Sequence, residues 1–370
     1  MKHSLRLPEK ELTGVIHGYS LANCPFLRLL GRFYQVPERL VLAPRINHIP
    51  IDRPVFIIGP YRSGTTILQE ILATHPQVGY FWYLTNVFGQ STVLSYRTTQ
   101  FFCRIGLIDG KPISPVHNPS IPAHILSPFE CESIWRPTRR SLWDDQEMFL
   151  DAGFSNPRFE RRLKRQIRSH LYTNKASRFL NKNPVNSLRV AYLHKLFPDA
   201  RFINIARNPL QTVISHYRTA ARVEKAFNQD PHTRRIFRKQ LNIDMLSHRI
   251  RTAARPDIEE LNQQHPLLGI AAQWAAMQQA VISAAAANPQ ITLLDIRYEA
   301  LVNSPTETLA LVWSFIDLDD MQAQKITAGY SKLLSIRPPA VLTDEEKQYL
   351  PQIKAITAPT AALLGYQETS

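Results

Sequence analysis

Hydrophobic positions along the chain fall into short continuous runs separated by longer segments with helical periodicity. Val55–Ile58 is an apolar run that ends at Gly59, and Arg201–Ala206 is a second segment of strand length and composition. Short apolar runs bounded by turn residues are typical of buried parallel strands. Two more strands are predicted around Phe179–Lys182 and Ile291–Ile296. The chain is therefore expected to contain a parallel sheet.

The segments between the predicted strands carry an apolar period close to 3.6 residues, which predicts helices. These helices cover residues 65–74, 158–172, 187–196, 208–226, 230–262 and 304–315. Strands that alternate with helices favour a mostly parallel sheet with helices on both faces. The predicted fold class is thus α/β, with a parallel sheet flanked by helices.

The pattern also divides the chain into regions. Residues 1–52 are predicted to be a helical N-terminal appendage, residues 53–338 the main domain, and residues 339–370 a C-terminal tail. Residues 86–150 hold several Pro and His residues and show no regular period. Because long irregular segments inside a compact domain are usually functional, we expect 86–150 to be a cap or insertion over a binding site.

The charge and the cysteine content limit the classes of ligand and the compartment that we expect for this protein. The chain has 44 Lys and Arg against 30 Asp and Glu, a formal net charge of +14. Such a surface attracts nucleotide phosphates, nucleic acids, acidic lipids or acidic glycans. Cys24, Cys103 and Cys131 form no CxxC pair, which argues against a zinc site or a disulfide framework and favours a reducing compartment.

Hydropathy favours a cytoplasmic protein. We find no continuous apolar run of membrane-spanning length and no secretory leader pattern. Peripheral contact between the basic surface and an anionic membrane stays open as a partner interaction.

The strongest local motif is Gly59–Thr66, which has the form G-x-x-x-x-G, follows a strand and opens a helix. Backbone N–H groups and the positive end of a helix dipole converge on an anion in such a loop. However, Thr65 stands where a phosphate-transferring loop has lysine, and Arg62 lies inside the loop. Arg207, and not an aspartate, follows the strand Arg201–Ala206. The loop therefore suits a nucleotide anion but lacks the groups for metal-assisted phosphoryl transfer. The alternative is an ordinary turn between a strand and a helix.

A second anion-binding signal begins at the end of the same strand. Arg207 leaves the strand at its carboxyl end, where ligands bind in open parallel sheets, and Ser215 lies in the following helix. These two side chains suit a phosphate group. Alternatively, Arg207 pairs with a carboxylate and Ser215 is a surface residue.

Together these motifs resemble the sulfotransferase superfamily, in particular its bacterial and tyrosylprotein-sulfotransferase-like branch. Arg62-Ser63-Gly64-Thr65-Thr66 is similar to the loop that binds the 5′-phosphosulfate end of 3′-phosphoadenylyl sulfate (PAPS). Arg207 and Ser215 resemble the pair that binds its 3′-phosphate. The resemblance covers about residues 53–318.

Two further segments carry the same resemblance. Asn181–Pro184, followed by Phe197–Phe202, resembles the K-x-P and FPDA-R-F stretch of that branch, and Arg297–Pro305 resembles its RYE-x-L segment. The resemblance implies a sulfotransferase fold of the P-loop NTPase type. It also implies transfer of the PAPS sulfonate to a hydroxyl or amine, with release of the bisphosphorylated product PAP and no metal.

The resemblance also implies roles for named residues. Arg62 and Lys182 would flank the sulfonate as catalytic cations, because fixed cations stabilise the charge that builds up during transfer. The implied nucleotide-binding residues are Arg62, Ser63, Gly64, Thr65, Thr66, Arg207 and Ser215. No metal ligand is implied.

The general base is not fixed by the resemblance. Pro184 and Asn186 stand where related enzymes have histidine, and Tyr80–Tyr83 stands where tyrosylprotein-like enzymes have glutamate.

Pro128–Glu132 resembles a P-x-E-D-E segment of bacterial relatives, with Cys131 in place of the aspartate. Glu130 and Glu132 are therefore the candidate bases, and the alternative is a surface or helix-capping role for both. His117 and His124 are further candidates in the same insertion.

Two other function classes remain as alternatives. A nucleotide-dependent kinase of the P-loop type would need the absent lysine, and a non-catalytic polyanion-binding protein would use only the positive charge. The acceptor is left open among a glycan, a lipid headgroup, a small metabolite and a peptide tyrosine, and so is the oligomeric state.

Overall fold

The computed structural model describes residues 25–88, 91–105, 126–135, 137, 149–229, 257–334 and 340–366. The candidate bases His117 and His124 lie outside these residues. Most of the helix predicted over 230–262 lies outside them as well, and so do the first 24 residues of the predicted appendage.

The core of the molecule is a sheet of five parallel strands. The strands are β1 Val55–Ile58, β2 Val78–Tyr80, β3 Arg178–Lys182, β4 Arg201–Ala206 and β5 Thr292–Arg297. Their order across the sheet is β2-β3-β1-β4-β5. The predicted α/β class and its four predicted strands are confirmed. Strand β2 was not predicted, because three residues are too few to show a period.

Helices cover both faces of the sheet and extend beyond it. The α-helices are α1 Pro25–Pro37, α2 Ala43–Asn47, α3 Thr65–Ala73, α4 Tyr83–Phe88, α5 Val93–Arg104, α6 Pro157–Asn174, α7 Val190–Leu196, α8 Pro209–Gln229, α9 Ile258–Gln264, α10 Pro266–Ala287, α11 Tyr298–Asn303, α12 Pro305–Phe315, α13 Met321–Ser331, α14 Asp344–Gln348 and α15 Leu350–Leu363. A π-helical turn, Glu38–Leu42, joins α1 to α2, and 3-10 turns span Glu132–Ile134 and Pro184–Leu188. Among these helices, none is both long and apolar enough to cross a bilayer.

Alternation along the strands produces two hydrophobic cores, one on each face of the sheet. Phe56 on β1 points to the face covered by α6 and α7, where it packs with Phe179 and Phe202. Its neighbour Ile57 points to the other face, where it packs with residues of α3, α12 and α13. Since the parallel strands β1, β3 and β4 are buried along nearly their whole length, both faces need such a cover.

The register aligns the carboxyl ends of three strands. Ile57 of β1 is level with Lys182 of β3, and Ile58 is level with Asn204 of β4. The chain segments that follow β1, β3 and β4 therefore leave the sheet at one edge. The predicted loop Gly59–Thr66, Lys182 and Arg207 all lie at this edge.

The C-terminal residues pack onto the body of the molecule. Ile353 of α15 is fully buried in a cluster that includes residues of α8 and α10. Glu346 of α14 is also buried, and Arg218 of α8 donates to both of its carboxylate oxygens at 2.7 and 2.5 Å. This hydrogen-bonded pairing lowers the pKa of Glu346. The helices α14 and α15 thus cover the outer side of α8 and α10.

Truncation of Ile353 tests this packing. Because Ile353 is completely buried, Ile353→Ala should lower the free energy of unfolding by about 2–5 kcal/mol, measured by urea denaturation. The matched control is Leu363→Ala on the same helix, which is 63% exposed and should cost less than about 1 kcal/mol. Equal effects of the two substitutions would contradict a structural role for α15.

Candidate active site

The loop after β1 is held in place by its own backbone and by a neighbouring 3-10 turn. Gly59 has φ +130°, and a Cβ there would lie 2.3 Å from the Ile205 carbonyl oxygen, so only glycine fits. The Gly59 N–H donates to Ser187 Oγ at 2.9 Å. Ser63 Oγ donates to the Pro60 carbonyl at 2.7 Å. The Ser63 side chain therefore braces the loop from inside.

The loop ends at the N-terminus of α3, where it presents backbone donors. Gly64 is the N-cap residue with φ +100°, and the first N–H groups of α3, from Thr65 and Thr66, have no acceptor within the helix. The positive end of the helix dipole adds to these donors. Gly64 lies against the Tyr298 ring, and a Cβ would come within 2.4 Å of that ring. The geometry is that of an anion-binding helix N-terminus.

The structure brings Arg62, Arg207 and Ser215 together. Arg62 Nε donates to Ser215 Oγ at 3.3 Å, and Arg207 Nη1 donates to the Arg62 carbonyl at 3.2 Å. Arg62 has φ +68°, a left-handed conformation that turns its side chain across the loop. These residues are far apart in the sequence, and their contact unites both predicted anion-binding motifs.

Arg207 is fixed by an aromatic ring. Its guanidinium carbon lies 4.6 Å from the centre of the Tyr298 ring, a cation–π distance. Arg207 Nη2 donates to Gln211 at 3.3 Å, whereas its Nε is buried and has no hydrogen-bond partner. A buried donor without an acceptor is costly, so this position favours an additional anion.

The segment Arg297–Glu299 contacts the turn that carries Arg207 and holds it in place. Glu299 accepts a hydrogen bond from the Asn208 N–H at 2.9 Å and another from the Tyr366 hydroxyl at 2.9 Å. Burial and the nearby Glu299 raise the pKa of Tyr366, which keeps its hydroxyl a donor. Arg297 donates to the carbonyls of Leu364 and Gly365. The segment therefore links residues 364–366 to the turn that carries Arg207.

Lys182 and Glu130 form an ion pair at the same edge of the sheet. Lys182 Nζ contacts Glu130 Oε1, and the lysine side chain is only 5% exposed. The Glu130 carbonyl accepts from Asn181 Nδ2 at 3.3 Å and from Trp135 Nε1 at 3.1 Å. These contacts hold the segment that carries Glu130 against the end of β3. The glutamate remains partly exposed, so its carboxylate can meet a second ligand.

Glu132 contacts a different cation. Arg189, which is almost fully buried, donates to Glu132 Oε1 at 2.8 Å, and Asn183 Nδ2 donates to Glu132 Oε2. Between the two glutamates, Cys131 has φ +50° and is buried, and burial raises its thiol pKa. The left-handed turn at Cys131 sends Glu130 to Lys182 and Glu132 to Arg189.

Glu70 is a titratable residue at this edge that the sequence motifs did not single out. It lies on α3, and burial raises its pKa to about 7, although the nearby Lys182 opposes the shift. Glu70 in turn raises the pKa of Tyr80, for which burial is the main cause. A sequence signal existed, since Glu70 is the sole charged residue between Thr65 and Ala73. Its raised pKa could not be predicted from the sequence, because it depends on the fold, which places α3 beside β3.

Glu70 makes the stability of the protein depend on pH. Its folded-state pKa of about 7 is above its ordinary value of 4.5, so the folded state binds more protons between these values. Stability should therefore fall as pH rises from 5 to 8, by about 2–3 kcal/mol from this residue alone. Glu70→Gln should match the wild-type protein at pH 5 and exceed it at pH 8, measured by urea denaturation.

The control for this experiment is Glu307→Gln, which removes an exposed glutamate on α12. That variant should keep the pH dependence of the wild-type protein. A wild-type profile that persists in Glu70→Gln would show that burial does not raise the pKa of Glu70 in solution.

Metal ligation finds no support in the described ranges, which contain no group of three or more His, Cys, Asp or Glu side chains arranged to hold an ion.

Two curated proteins that resemble this chain are sulfotransferases. Two curated relatives, both called omega-hydroxy-beta-dihydromenaquinone-9 sulfotransferase Stf3, come from Mycobacterium bovis and Mycobacterium tuberculosis. Each is 25% identical over 197 residues, which is 50% of this chain and 50% of the relative. The chain thus matches about half the length of these relatives.

Two solved structures share the fold. Sulfotransferase STF9 from Mycobacterium avium has a TM-score of 0.56 at 15% identity, over 97% of this chain and 92% of that one. Sulfotransferase STF1 from Mycobacterium tuberculosis H37Rv has a TM-score of 0.52 at 16% identity, over 88% and 81%. The expectation of a sulfotransferase fold of the P-loop type is confirmed.

The family model described as the sulfotransferase family matches residues 54–256. This match begins just before β1 and includes the loop Gly59–Thr66, Lys182, Arg207 and Ser215. It covers more than half of the 370 residues. The chain therefore belongs to the sulfotransferase family.

Proposed function

We propose that the protein is a PAPS-dependent sulfotransferase that transfers a sulfonate to a hydroxyl or amine of its acceptor. The observation that carries the proposal is the convergence of Arg62, Arg207 and Ser215 beside the N-terminus of α3. At one end of this cluster, backbone N–H groups at the start of α3 are placed to bind an anion. At the other end, the guanidinium groups of Arg62 and Arg207 supply fixed positive charges. This arrangement suits a nucleotide with phosphates at both its 5′ and 3′ positions.

The residues present fit the proposed nucleotide. The buried Arg207 Nε lacks an acceptor, which a 3′-phosphate oxygen would supply. Ser215 would contribute a further donor to the same phosphate. Because Arg62 Nε donates to Ser215 Oγ, we propose that Arg62 also serves the 3′-phosphate, in place of the role beside the sulfonate that the resemblance implies. The N–H groups of Thr65 and Thr66 would hold the 5′ end. Gly64 has no side chain, so the Tyr298 ring can pack against the turn that presents these groups.

PAPS, when bound, supplies an activated sulfonate for in-line transfer to the acceptor. The ammonium group of Lys182 would stabilise negative charge that develops as the sulfonate leaves. Glu130 lies in contact with this ammonium and is partly exposed, so we propose that it accepts the proton from the acceptor hydroxyl or amine. We propose that Glu132 orients Arg189 and the turn at Asn183 and takes no proton.

The relatives favour a hydroxyl acceptor. By their name, the mycobacterial relatives act on a hydroxylated dihydromenaquinone. We extend to this chain only the acceptor class, a hydroxyl-bearing molecule. A P-loop kinase is disfavoured because Thr65 replaces the lysine such enzymes need.

Nucleotide selectivity tests the proposal. PAP should raise the melting temperature more than ADP does in the absence of magnesium, because only PAP carries the 3′-phosphate. Arg207→Ala should remove most of that difference, since a charge-assisted hydrogen bond contributes about 1.5–3 kcal/mol. Thermal-shift titration of both nucleotides measures this effect.

Arg45→Ala, which removes an exposed arginine on α2, is the matched control and should keep the preference for PAP. Equal stabilisation of the wild-type protein by PAP and ADP would refute the 3′-phosphate assignment. Stronger stabilisation by ATP with magnesium would favour the kinase alternative.

The two neighbouring glutamates should respond differently to the same substitution. Glu130→Gln should retain PAP binding and lose about 10²–10⁴-fold in turnover, the usual effect of removing a general base. Glu132→Gln should instead lower stability by about 3 kcal/mol, because it removes the carboxylate charge that contacts the buried Arg189. Turnover is measured as PAP release from PAPS with a panel of alcohols and phenols, and stability by urea denaturation.

Glu307→Gln serves again as a control for the loss of an exposed carboxylate. Unchanged turnover in Glu130→Gln would contradict the proposed role, and Glu70 would then become the candidate base. Wild-type stability in Glu132→Gln would show that its contact with Arg189 is dispensable.

A further inference from the structure

Helix α1 and the π-helical turn after it carry a continuous apolar stripe that faces away from the protein. Leu29, Phe33, Val36 and Leu40 follow a spacing of four, three and four residues, which places them on one helix face. All four are exposed, from 49% for Leu29 to 75% for Leu40. Helices of soluble domains usually turn such a stripe inward.

The opposite face of the helix is fixed by small and polar contacts. Gly31 packs directly on the Phe88 carbonyl, where a Cβ would come within 2.6 Å. Glu38 is buried and accepts hydrogen bonds from Ser91 Oγ at 2.8 Å and from the Leu94 N–H at 2.7 Å. Rotating the helix to bury its apolar stripe would break these contacts and expose Glu38 instead. The outward orientation is therefore built into the packing.

A strongly basic concavity adjoins the stripe. Arg39, which lies next to Leu40 in the sequence, lines a cavity together with Arg158, Arg161, Arg162 and Arg165 of α6. Burial and the neighbouring Arg39 lower the pKa of Arg165, so these cations repel one another. Several arginines around one depression form a site for anionic phosphate groups.

We propose that this surface, composed of the apolar stripe on α1 and the arginine cavity beside it, docks the protein onto an anionic phospholipid bilayer. The stripe would insert among the acyl chains near the interface, and the arginines would contact lipid phosphates. An apolar face flanked by cations is the arrangement that interfacial helices require. This docking does not depend on sulfonate transfer.

A lipid surface explains the features better than a second copy of the chain does. Two copies that met through the stripe would each bring the same arginine cavity towards the contact, and each chain carries a net charge of +14. Like charges opposed across a contact are unfavourable, whereas an anionic bilayer neutralises them. The charge pattern therefore selects the bilayer.

Vesicle co-sedimentation of the full chain tests the proposal. Vesicles of phosphatidylcholine with 30% phosphatidylglycerol should bind the protein about tenfold or more tightly than pure phosphatidylcholine vesicles, with binding weakened by salt. The double variant Phe33→Ser/Leu40→Ser should lose about tenfold or more in affinity. The double variant Arg158→Gln/Arg161→Gln should lose roughly fivefold for each charge and keep the native fold.

The matched control is the double variant Met321→Ser/Leu333→Ser. These residues are 72% and 75% exposed and lie on or next to α13, which covers the other face of the sheet. This control should bind vesicles like the wild-type protein, and circular dichroism should show that each variant is folded.

Several outcomes would overturn the proposal. Equal binding of wild-type protein and Phe33→Ser/Leu40→Ser would exclude the stripe. Competition by millimolar inorganic phosphate with no loss on removal of the stripe would show that the cavity binds a soluble anion only. Concentration-dependent dimerisation that the stripe variant abolishes, without vesicle binding, would assign the surface to a second copy. Equal binding of PAP and ADP would contradict the proposed nucleotide site but would not bear on membrane docking.

Discussion

Parallel pairing of β1 with β3 on one side and β4 on the other is the constraint on which the whole site depends. It aligns the ends of three strands, so the loop after β1, Lys182 and Arg207 meet at one edge, although Arg62 of the loop and Arg207 are 145 positions apart in the sequence. The approach of this loop to β4 permits only glycine at position 59. Burial of the strands on both faces makes the register hard to shift, because a slip would exchange the two hydrophobic cores. The same packing that stabilises the sheet therefore determines where the charges lie.

The cations at this edge are held in position by neighbouring residues that would not themselves take part in sulfonate transfer. Tyr298 lies under the Arg207 guanidinium, and its neighbour Glu299 holds the first turn of α8 through the Asn208 N–H. Prepositioned donors need little reorganisation when a polyanion arrives, and this is the main way a site stabilises developing charge. The segment Arg297–Glu299 thus contributes by positioning Arg207 and Asn208. Its hydrogen bonds to residues 364–366 connect this positioning to the end of α15.

Much of the fold could be predicted from the sequence, because buried parallel strands leave continuous apolar runs. Strands β1, β3, β4 and β5 could be located in this way, whereas β2, with three residues, could not. The loop Gly59–Thr66 and the pair Arg207 and Ser215 were recognisable as separate motifs. Their mutual contact through Arg62 was not, since it depends on a left-handed backbone at Arg62 that local sequence does not specify. Glu70 was missed for a related reason, because its pKa depends on burial beside Lys182 and not on any motif.

Two features show how backbone conformation decides the function of a sequence pattern. Glu130 and Glu132 are equivalent by composition, but the left-handed turn at Cys131 directs one to Lys182 and the other to Arg189. The pattern of α1 predicts an amphipathic helix without saying which face is buried. That choice rests on Gly31, which permits close contact with Phe88, and on Glu38, which satisfies the backbone donor at the start of α5. Because polar anchoring outweighs apolar burial on this helix, the apolar face remains available for a surface outside the protein.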